Sequence, residues 1–221
     1  MELNNWSIAE VKRAESTWGQ KVPPYSKAMF DFAIEGCKSW LDLGCGFGRF
    51  LNYLINYTFT KDILESKETY EIDDPDYIGY DSSKDMISRI SERFPIYSSR
   101  TFHRDITLPI NNHQESIICS AVLIHLPKAD QLKIFKNIKE SNPKKFTFDI
   151  NSPEESKISE NPYFENSVKG SEGIFRMTWQ SHYEMTKLVL ATFPKYKLTN
   201  QYYTVNKTRK KVLYMLERVG N

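Results

Sequence analysis

Residues 41–50 read LDLGCGFGRF, and this decapeptide constrains the fold more than any other stretch. Leu41, Asp42 and Leu43 have the character of the end of a buried strand. Gly44, Cys45, Gly46, Phe47 and Gly48 form a G-x-G-x-G turn, and Arg49, Phe50, Leu51, Leu54 and Ile55 follow at helical spacing. A glycine-rich turn between strand and helix admits a ligand up to the backbone, because no Cβ stands in the way. The helix start beyond it presents unpaired N–H groups. The dinucleotide-binding fingerprint G-x-G-x-x-G needs a glycine at position 49, where this chain has Arg49. The Gly-Lys-Ser/Thr of a phosphate-binding P-loop is absent.

The flanking pattern alternates strands with helices, which predicts a parallel sheet. Ser7 and Glu10 make a capping box for a helix with Ile8, Val11 and Trp18 on one face, ending at Gly19. After Pro23-Pro24, Ser26 is expected to cap a second helix with Ala28, Met29, Phe32 and Ala33 inward, stopped by Gly36. Strand 1 is expected at 40–43 and a helix at 49–57. Residues 58–76 carry seven acids against two lysines and read as a solvated insertion. Strand 2 follows at 77–80 and ends at Asp81. Ser82 or Ser83 then caps a helix whose inner face is Met86, Ile87, Ile90 and Phe94. Strand 3 lies near 101–103 and strand 4 at 116–121. The helix at 129–140 is expected to bury Leu132, Phe135 and Ile138. Strand 5 is 145–150. A second capping box, Ser181 with Glu184, opens a helix with Met185, Leu188 and Val189 on one face. Two final strands, 197–205 and 211–219, are close enough for an antiparallel hairpin around the polar turn 206–210.

The 221 residues suffice for one α/β domain with a good core. A formal net charge of +2 gives no strong electrostatic pull toward nucleic acid. Cys37, Cys45 and Cys119 lack Cys-x-x-Cys spacing and read as buried free thiols of a cytoplasmic protein. The N-terminus shows no signal peptide, the longest apolar run is too short for a bilayer, and no His/Cys/Asp cluster has metal spacing.

In an open α/β sheet, ligands bind at the carboxyl ends of the strands near the switch point of strand order. Asp42 and the glycine turn, Asp81, Asp105, and Ser120-Ala121-Val122 all lie just past expected strand ends. A carboxylate after strand 2 suits a ribose diol, and one after strand 3 suits an adenine amino group. Met86 and Ile106 supply apolar walls.

On LDLGCGFGRF, YIGYDSSKDMI (77–87), FHRDITLPI (102–110) and CSAVLIHLPK (119–128), the chain resembles the class I S-adenosylmethionine-dependent methyltransferases over roughly 36–219. The resemblance implies a doubly wound, seven-stranded α/β sheet of order 3-2-1-4-5-7-6 with the last strand antiparallel. It implies a single domain over 1–221, with 1–36 as an N-terminal helical cap and 151–180 as a substrate lid. It implies S-adenosyl-L-methionine as cofactor, with S-adenosyl-L-homocysteine as product. The cofactor set would be Asp42, Gly44, Cys45, Gly46, Gly48, Asp81, Ser82, Met86, Asp105, Ile106, Ser120 and Ala121. Asp81 would take the ribose hydroxyls and Asp105 the adenine amine. The separation of Gly44 from Asp81 exceeds the roughly 20 residues usual in a nucleotide-binding βαβ unit, and the acidic insertion absorbs the excess.

The acceptor is narrowed by what is missing. After strand 4 stands Ser120-Ala121-Val122-Leu123, not the [DNS]-P-P-[YFW] of amino-directed DNA methylation, and no Pro-Cys nucleophile is present. A small-molecule O, N or C nucleophile remains the leading expectation. His125, Asp149, His182 and Tyr183 are the candidates to orient or deprotonate it. A second reading, RNA or protein methylation, would use the basic turn 206–211 (NKTRKK). A third is a SAM-binding protein without turnover.

Overall fold

The computed structural model describes residues 22–56, 74–152, 163–169, 174–206 and 209–220, together with residues 12, 15 and 16. The expected first helix and its Ser7 cap, most of the acidic insertion, and the tip of the 206–211 turn fall outside those residues, although 12, 15 and 16 are helical. Glu15 is tied to the neighbouring helix by Arg89 Nε at 2.7 Å and Arg93 Nε at 3.2 Å.

Nine strands are described: β1 (Ser39–Leu43), β2 (Asp76–Asp81), β3 (Thr101–His103), β4 (Ser116–Cys119), β5 (Lys145–Ser152), β6 (Tyr163–Lys169), β7 (Ile174–Gln180), β8 (Tyr196–Asn206) and β9 (Arg209–Arg218). The helices are α1 (Pro24–Ile34), α2 (49–56), α3 (Lys84–Arg93), α4 (Lys128–Ser141) and α5 (His182–Thr192). Seven strands form one sheet of order β3-β2-β1-β4-β5-β9-β8. The first five are parallel, with Leu41 opposite both Ile78 and Ile117. β9 runs antiparallel to β5 and to β8. Counted along the chain, this is the 3-2-1-4-5-7-6 order that the family resemblance implies, with the seventh strand reversed. The order turns back between β1 and β4, so the crevice at their carboxyl ends is the topological switch point.

Helices cover both faces. α4 and α5 bury Ile134, Phe135, Ile138, Met185 and Val189 against Phe146, Phe148 and Ile150 of β5. α1, α2 and α3 bury Met29, Phe30, Ala33, Phe50, Leu51, Leu54 and Ile90 against Trp40, Tyr77 and Ile118. Ile117 and Ile118, neighbours along β4, therefore point to opposite cores, as a strand's period of two requires.

Four local expectations are corrected. α1 begins two residues before Ser26, with Pro24 at the first helical position, where a missing N–H costs nothing. Ser26 is buried inside the helix, and the inward set is Met29, Phe30, Ala33 and Ile34. Leu132 is 41% exposed. α4 turns Gln131 inward beside Ile134, Phe135 and Ile138, because the Gln131 amide donates to the carbonyls of Leu123 and Leu126, both at 2.9 Å. β4 stops at Cys119, since Ala121 adopts a left-handed conformation with φ 59°. Ser181 precedes α5 without a side-chain cap, and its carbonyl accepts from Met185 instead. The 151–180 connection also contains β6 and β7, a separate two-stranded antiparallel sheet that the aromatic content alone did not signal.

Phe135 is the keystone of the α4–α5 core. It is 1% exposed and meets Phe146, Phe148 and Phe193 with ring centroids at 6.2, 5.2 and 6.1 Å. Phe135→Ala is expected to remove about 3–5 kcal/mol of stability, measured by urea unfolding. A loss below about 1 kcal/mol would show that this core collapses around the cavity.

Candidate ligand site at the switch point

The turn after β1 is built by three left-handed glycines, Gly44, Gly46 and Gly48, at φ 75°, 54° and 83°. They are not equivalent. A Cβ on Gly44 would stand 2.2 Å from Val122 Cγ2, and one on Gly48 would stand 2.8 Å from Ile90 Cγ1 and 2.9 Å from Phe94 Cε2. Those two are required by packing. A Cβ on Gly46 would meet only Met86 Sδ, at 3.9 Å. Gly46 thus turns a bare backbone toward open space, which is the cradle a ligand needs.

Asp81, at the end of β2, closes one side of that cradle. Its Oδ2 accepts from Gly46 N–H at 2.9 Å and its Oδ1 from Ser83 N–H at 2.8 Å. Burial pushes the Asp81 carboxyl up, while these two N–H bonds hold it down. An ionised carboxylate offers about four lone-pair sites, so two acceptor positions remain for a diol. Ser83, not Ser82, caps α3, with Oγ accepting from Met86 N–H at 3.3 Å. Ser82 meets the His103 ring through its carbonyl, at 3.0 Å. Asp105 Oδ1 accepts from both the N–H and the hydroxyl of Thr107, each at 2.8 Å, while among the described residues its other oxygen has no hydrogen-bond partner. Ile106 is buried in the core beside Leu41 and Tyr80.

The side chains of Asp42 and Cys45 are both buried. Asp42 is 3% exposed, its Oδ2 accepts from Tyr77 Oη at 3.1 Å, and burial pushes its carboxyl up to about 7. The Cys45 thiol packs under Gly79 in the α1–α3 core, so only its backbone faces the turn. On the far side of the crevice, Arg49 Nη2 donates to Ser120 Oγ at 2.9 Å. Ala121 donates its N–H to Asp149 Oδ1 at 2.5 Å.

The four candidates for acceptor chemistry separate. His125 ends the short 3₁₀ turn Leu123–His125 directly after β4 and is half-buried there. Asp149, 1% exposed, forms a buried ion pair with Lys211 and holds Ala121 in its left-handed conformation. Its position fits a structural anchor rather than a base. It also removes Lys211 from the basic 206–211 turn, because Lys211 is 4% exposed. His182 packs edge-on against Tyr202 at 5.5 Å on β8, the sheet's outer strand, three strands from β4. Tyr183 is 59% exposed and lies beneath Lys187 Nζ at 4.2 Å. Asp149, through Ala121, is thus tied to the segment after β4 that carries His125, whereas His182 and Tyr183 contact Tyr202 and Lys187.

Sequence reasoning read Arg49 as the start of a helix and as the residue that spoils a dinucleotide fingerprint, and passed over its side chain. It also passed over Gln131, Thr178 and Gln180. Gln180 Nε2 donates to Gln131 Oε1 at 2.8 Å and Thr178 Oγ1 to Leu123 O at 3.3 Å, latching β7 to the turn that carries His125. No signal in a single sequence distinguishes such amides from surface glutamines. Among the described residues no group of His, Cys, Asp and Glu is placed to hold a metal ion, and no helix is long and apolar enough to cross a membrane.

Neither a protein-family model nor a curated protein sequence matches the chain. Solved structures do. The sugar N-methyltransferase KedS8 from Streptoalloteichus aligns with a TM-score of 0.63 at 10% identity, over 100% of this chain and 96% of that one. The 1,6-didemethyltoxoflavin-N1-methyltransferase of Burkholderia thailandensis, with bound 1,6-didemethyltoxoflavin and S-adenosylhomocysteine, aligns with a TM-score of 0.62 at 11% identity, over 96% of this chain and 85% of that one. DhpI, in a complex with SAM and HEP, aligns at 0.56 and 13% identity, over 94% of each chain. The chain has the Rossmann-like fold of these methyltransferases.

Two predictions follow from the turn and its acid. Gly48→Ala is expected to destabilise the protein through contact with Ile90 and Phe94. Gly46→Ala is expected to cost only the left-handed strain of about 1–2 kcal/mol. Equal losses in urea unfolding would contradict the distinction. For Asp42, a folded pKa of about 7 above an unfolded value of about 4 means that folding takes up a proton between them. The associated stability is complete below about pH 4 and is lost as pH rises through about 7. Asp42→Asn keeps an acceptor for Tyr77 and removes the titration. The variant's stability relative to the parent should therefore rise between about pH 4 and pH 8, and a pH-independent difference would contradict it.

Proposed function

We propose that the chain is a methyltransferase that uses S-adenosylmethionine and acts on a small-molecule acceptor. The observation that carries this reading is the pairing of Gly46, bare on its open side, with Asp81, whose carboxylate is fixed by two N–H bonds yet keeps acceptor positions free. The fold shared with structures that hold SAM or S-adenosylhomocysteine supports it.

When bound, S-adenosylmethionine supplies an electrophilic methyl group on a sulfonium, and a nucleophile takes it by in-line displacement. Much of the acceleration can come from positioning alone. In this reading Asp81 accepts from the ribose hydroxyls, the free oxygen of Asp105 takes the adenine amine, and Met86 flanks the cradle beside Gly46. Ser120 and Ala121 form the floor on the β4 side. Asp149 and Lys211 fix that floor from below. In this reading His125 holds or removes a proton on the acceptor, a task that histidine suits because its side chain exchanges a proton near neutrality. The small-molecule reading rests on the absence of nucleic-acid motifs and on the burial of Lys211, which leaves the 206–211 turn less basic than its sequence implies.

Isothermal titration with S-adenosylhomocysteine tests the site. Asp81→Ala should weaken binding by about 2 kcal/mol, the scale of a hydrogen bond to a charged group. Unchanged affinity in a folded Asp81→Ala protein would contradict this placement. A screen of phenols, amines and carboxylic acids with methyl-labelled cofactor then identifies an acceptor. On that acceptor, His125→Ala should lower turnover by roughly a hundredfold with S-adenosylhomocysteine affinity retained. Normal turnover would remove His125 from the chemistry.

A further inference from the structure

Asn151, near the carboxyl end of β5, is 0% exposed, and neither its Nδ2 nor its Oδ1 has a hydrogen-bond partner. Among the described residues no other side-chain amide is buried with both ends unpartnered. Burying donors and acceptors unmade is costly, so such a group in a folded protein calls for a reason. Asn151 stands opposite Lys211 of β9, and Lys211 stands opposite Tyr203 of β8. Residues opposite one another in antiparallel strands share a face of the sheet, and so do residues two apart along a strand. Tyr203, Lys211 and Asn151 therefore form a row on the face that carries Asp149 and Leu213, the face that α1 covers. The Lys211 ammonium is committed to Asp149 and does not serve the Asn151 oxygen. Tyr25, in the first turn of α1, stands over the row. Its ring meets Tyr203 edge-on at 6.2 Å and lies 5.7 Å from Lys211 Nζ.

The chemistry of the row decides what it can take. Lys211 and Asp149 neutralise each other, which leaves no spare charge for an ion. A carboxamide offers N–H donors and a carbonyl acceptor side by side. The group that answers both at once is another amide, giving N–H to Oδ1 and C=O to Nδ2. A carboxylate answers only Nδ2 and sets an anion against Oδ1. A tertiary amide has no proton for Oδ1. The rings of Tyr25 and Tyr203 suit a flat, apolar body beside that amide. β5 neighbours β4 in the sheet, about 5 Å away. A molecule held by Asn151 therefore keeps its far end within reach of the segment after β4. We propose that Asn151 is a specificity-determining residue for the methyl acceptor, and that the acceptor carries an amide edge, N–H beside carbonyl, which pairs with it. The inference rests on the methyltransferase reading and adds to it the chemical class of the substrate. The row is closed in this structure, and an acceptor reaches Asn151 by displacing the Tyr25 ring.

The test uses three probes, benzamide, benzoate and N,N-dimethylbenzamide, which share a ring and differ in the group offered to Asn151. Saturation-transfer NMR titrations are run on the intact chain with and without S-adenosylhomocysteine. The parent is expected to bind benzamide roughly tenfold more tightly than either other probe, because only benzamide leaves no buried group unpaired. Asn151→Leu should abolish that preference and retain S-adenosylhomocysteine affinity. It should also unfold at the same urea concentration as the parent or a higher one, since no protein partner is lost. A merely structural role, such as holding an ordered water, would lower that midpoint. Asn151→Val, smaller and suited to a strand, repeats both measurements if leucine does not fit. Equal binding of the three probes by the parent, or no binding of benzamide, would overturn the proposal. So would a benzamide preference that survives both substitutions, or a urea midpoint lowered by both. A parent that does not bind S-adenosylhomocysteine contradicts the methyltransferase reading itself. A parent that binds it and shows no amide preference contradicts only the role of Asn151.

Discussion

The hydrogen bond from Gly46 N–H to Asp81 Oδ2 ties together the three elements on which the site depends. It joins the turn after β1 to the end of β2. The same carboxylate receives the N–H of Ser83, which caps α3. The N–H groups of Gly44 and Cys45 both reach the Tyr80 carbonyl, at 2.7 and 3.0 Å, so the turn is pinned to β2 at two levels. None of this is possible without residues that accept a left-handed conformation at 44, 46 and 48. Burial raises the Asp81 carboxyl, and its two N–H donors oppose that rise. The acid is thus held in a fixed orientation before any ligand arrives, and preorganisation of this kind favours binding because little ordering remains to be done.

The opposite wall is built by a different device. Asp149 and Lys211 pair across β5 and β9, both nearly inaccessible to water. Such a pair is costly to bury and strongly destabilising to break. Its position explains its presence, since the second oxygen of Asp149 fixes the left-handed Ala121 where β4 gives way to the His125 turn. From the other face, Gln131 donates to two carbonyls of that turn and receives Gln180 from β7. The segment after β4 is therefore clamped by an ion pair on one side and an amide relay on the other. A rigid floor and a rigid Asp81 wall leave the bare backbone of Gly46 between them.

Much of this frame was legible in the sequence. The glycine turn, the acid ending β2 and the alternation of strands and helices fixed the switch point, because each depends on local backbone demands that few residues meet. The 3-2-1-4-5-7-6 order came from the family resemblance and matches the sheet. What the sequence concealed depends on contacts between distant segments. Gln131 and Leu132 compete for one helical direction, and hydropathy favours Leu132. Gln131 points inward because two carbonyls some turns away need its amide. Asp149 reads as a base at a strand end until Lys211, far along the chain, is seen opposite it. The Ser181-x-x-Glu184 pattern matches a capping box, yet Ser181 is buried and makes no side-chain cap. His182 and Tyr183 looked close to the substrate because they precede the sixth sheet strand, but that strand lies at the sheet's outer edge. Arg49 was read as a helix residue and for the glycine it replaces, not for its bond to Ser120.

A crystal structure of the full chain soaked or grown with S-adenosylhomocysteine tests the central claim most directly. The account predicts the ribose hydroxyls on Asp81 and the nucleoside edge over the open side of Gly46. A ligand bound elsewhere would contradict it. So would one that displaces the Gly46–Asp81 hydrogen bond rather than building on it.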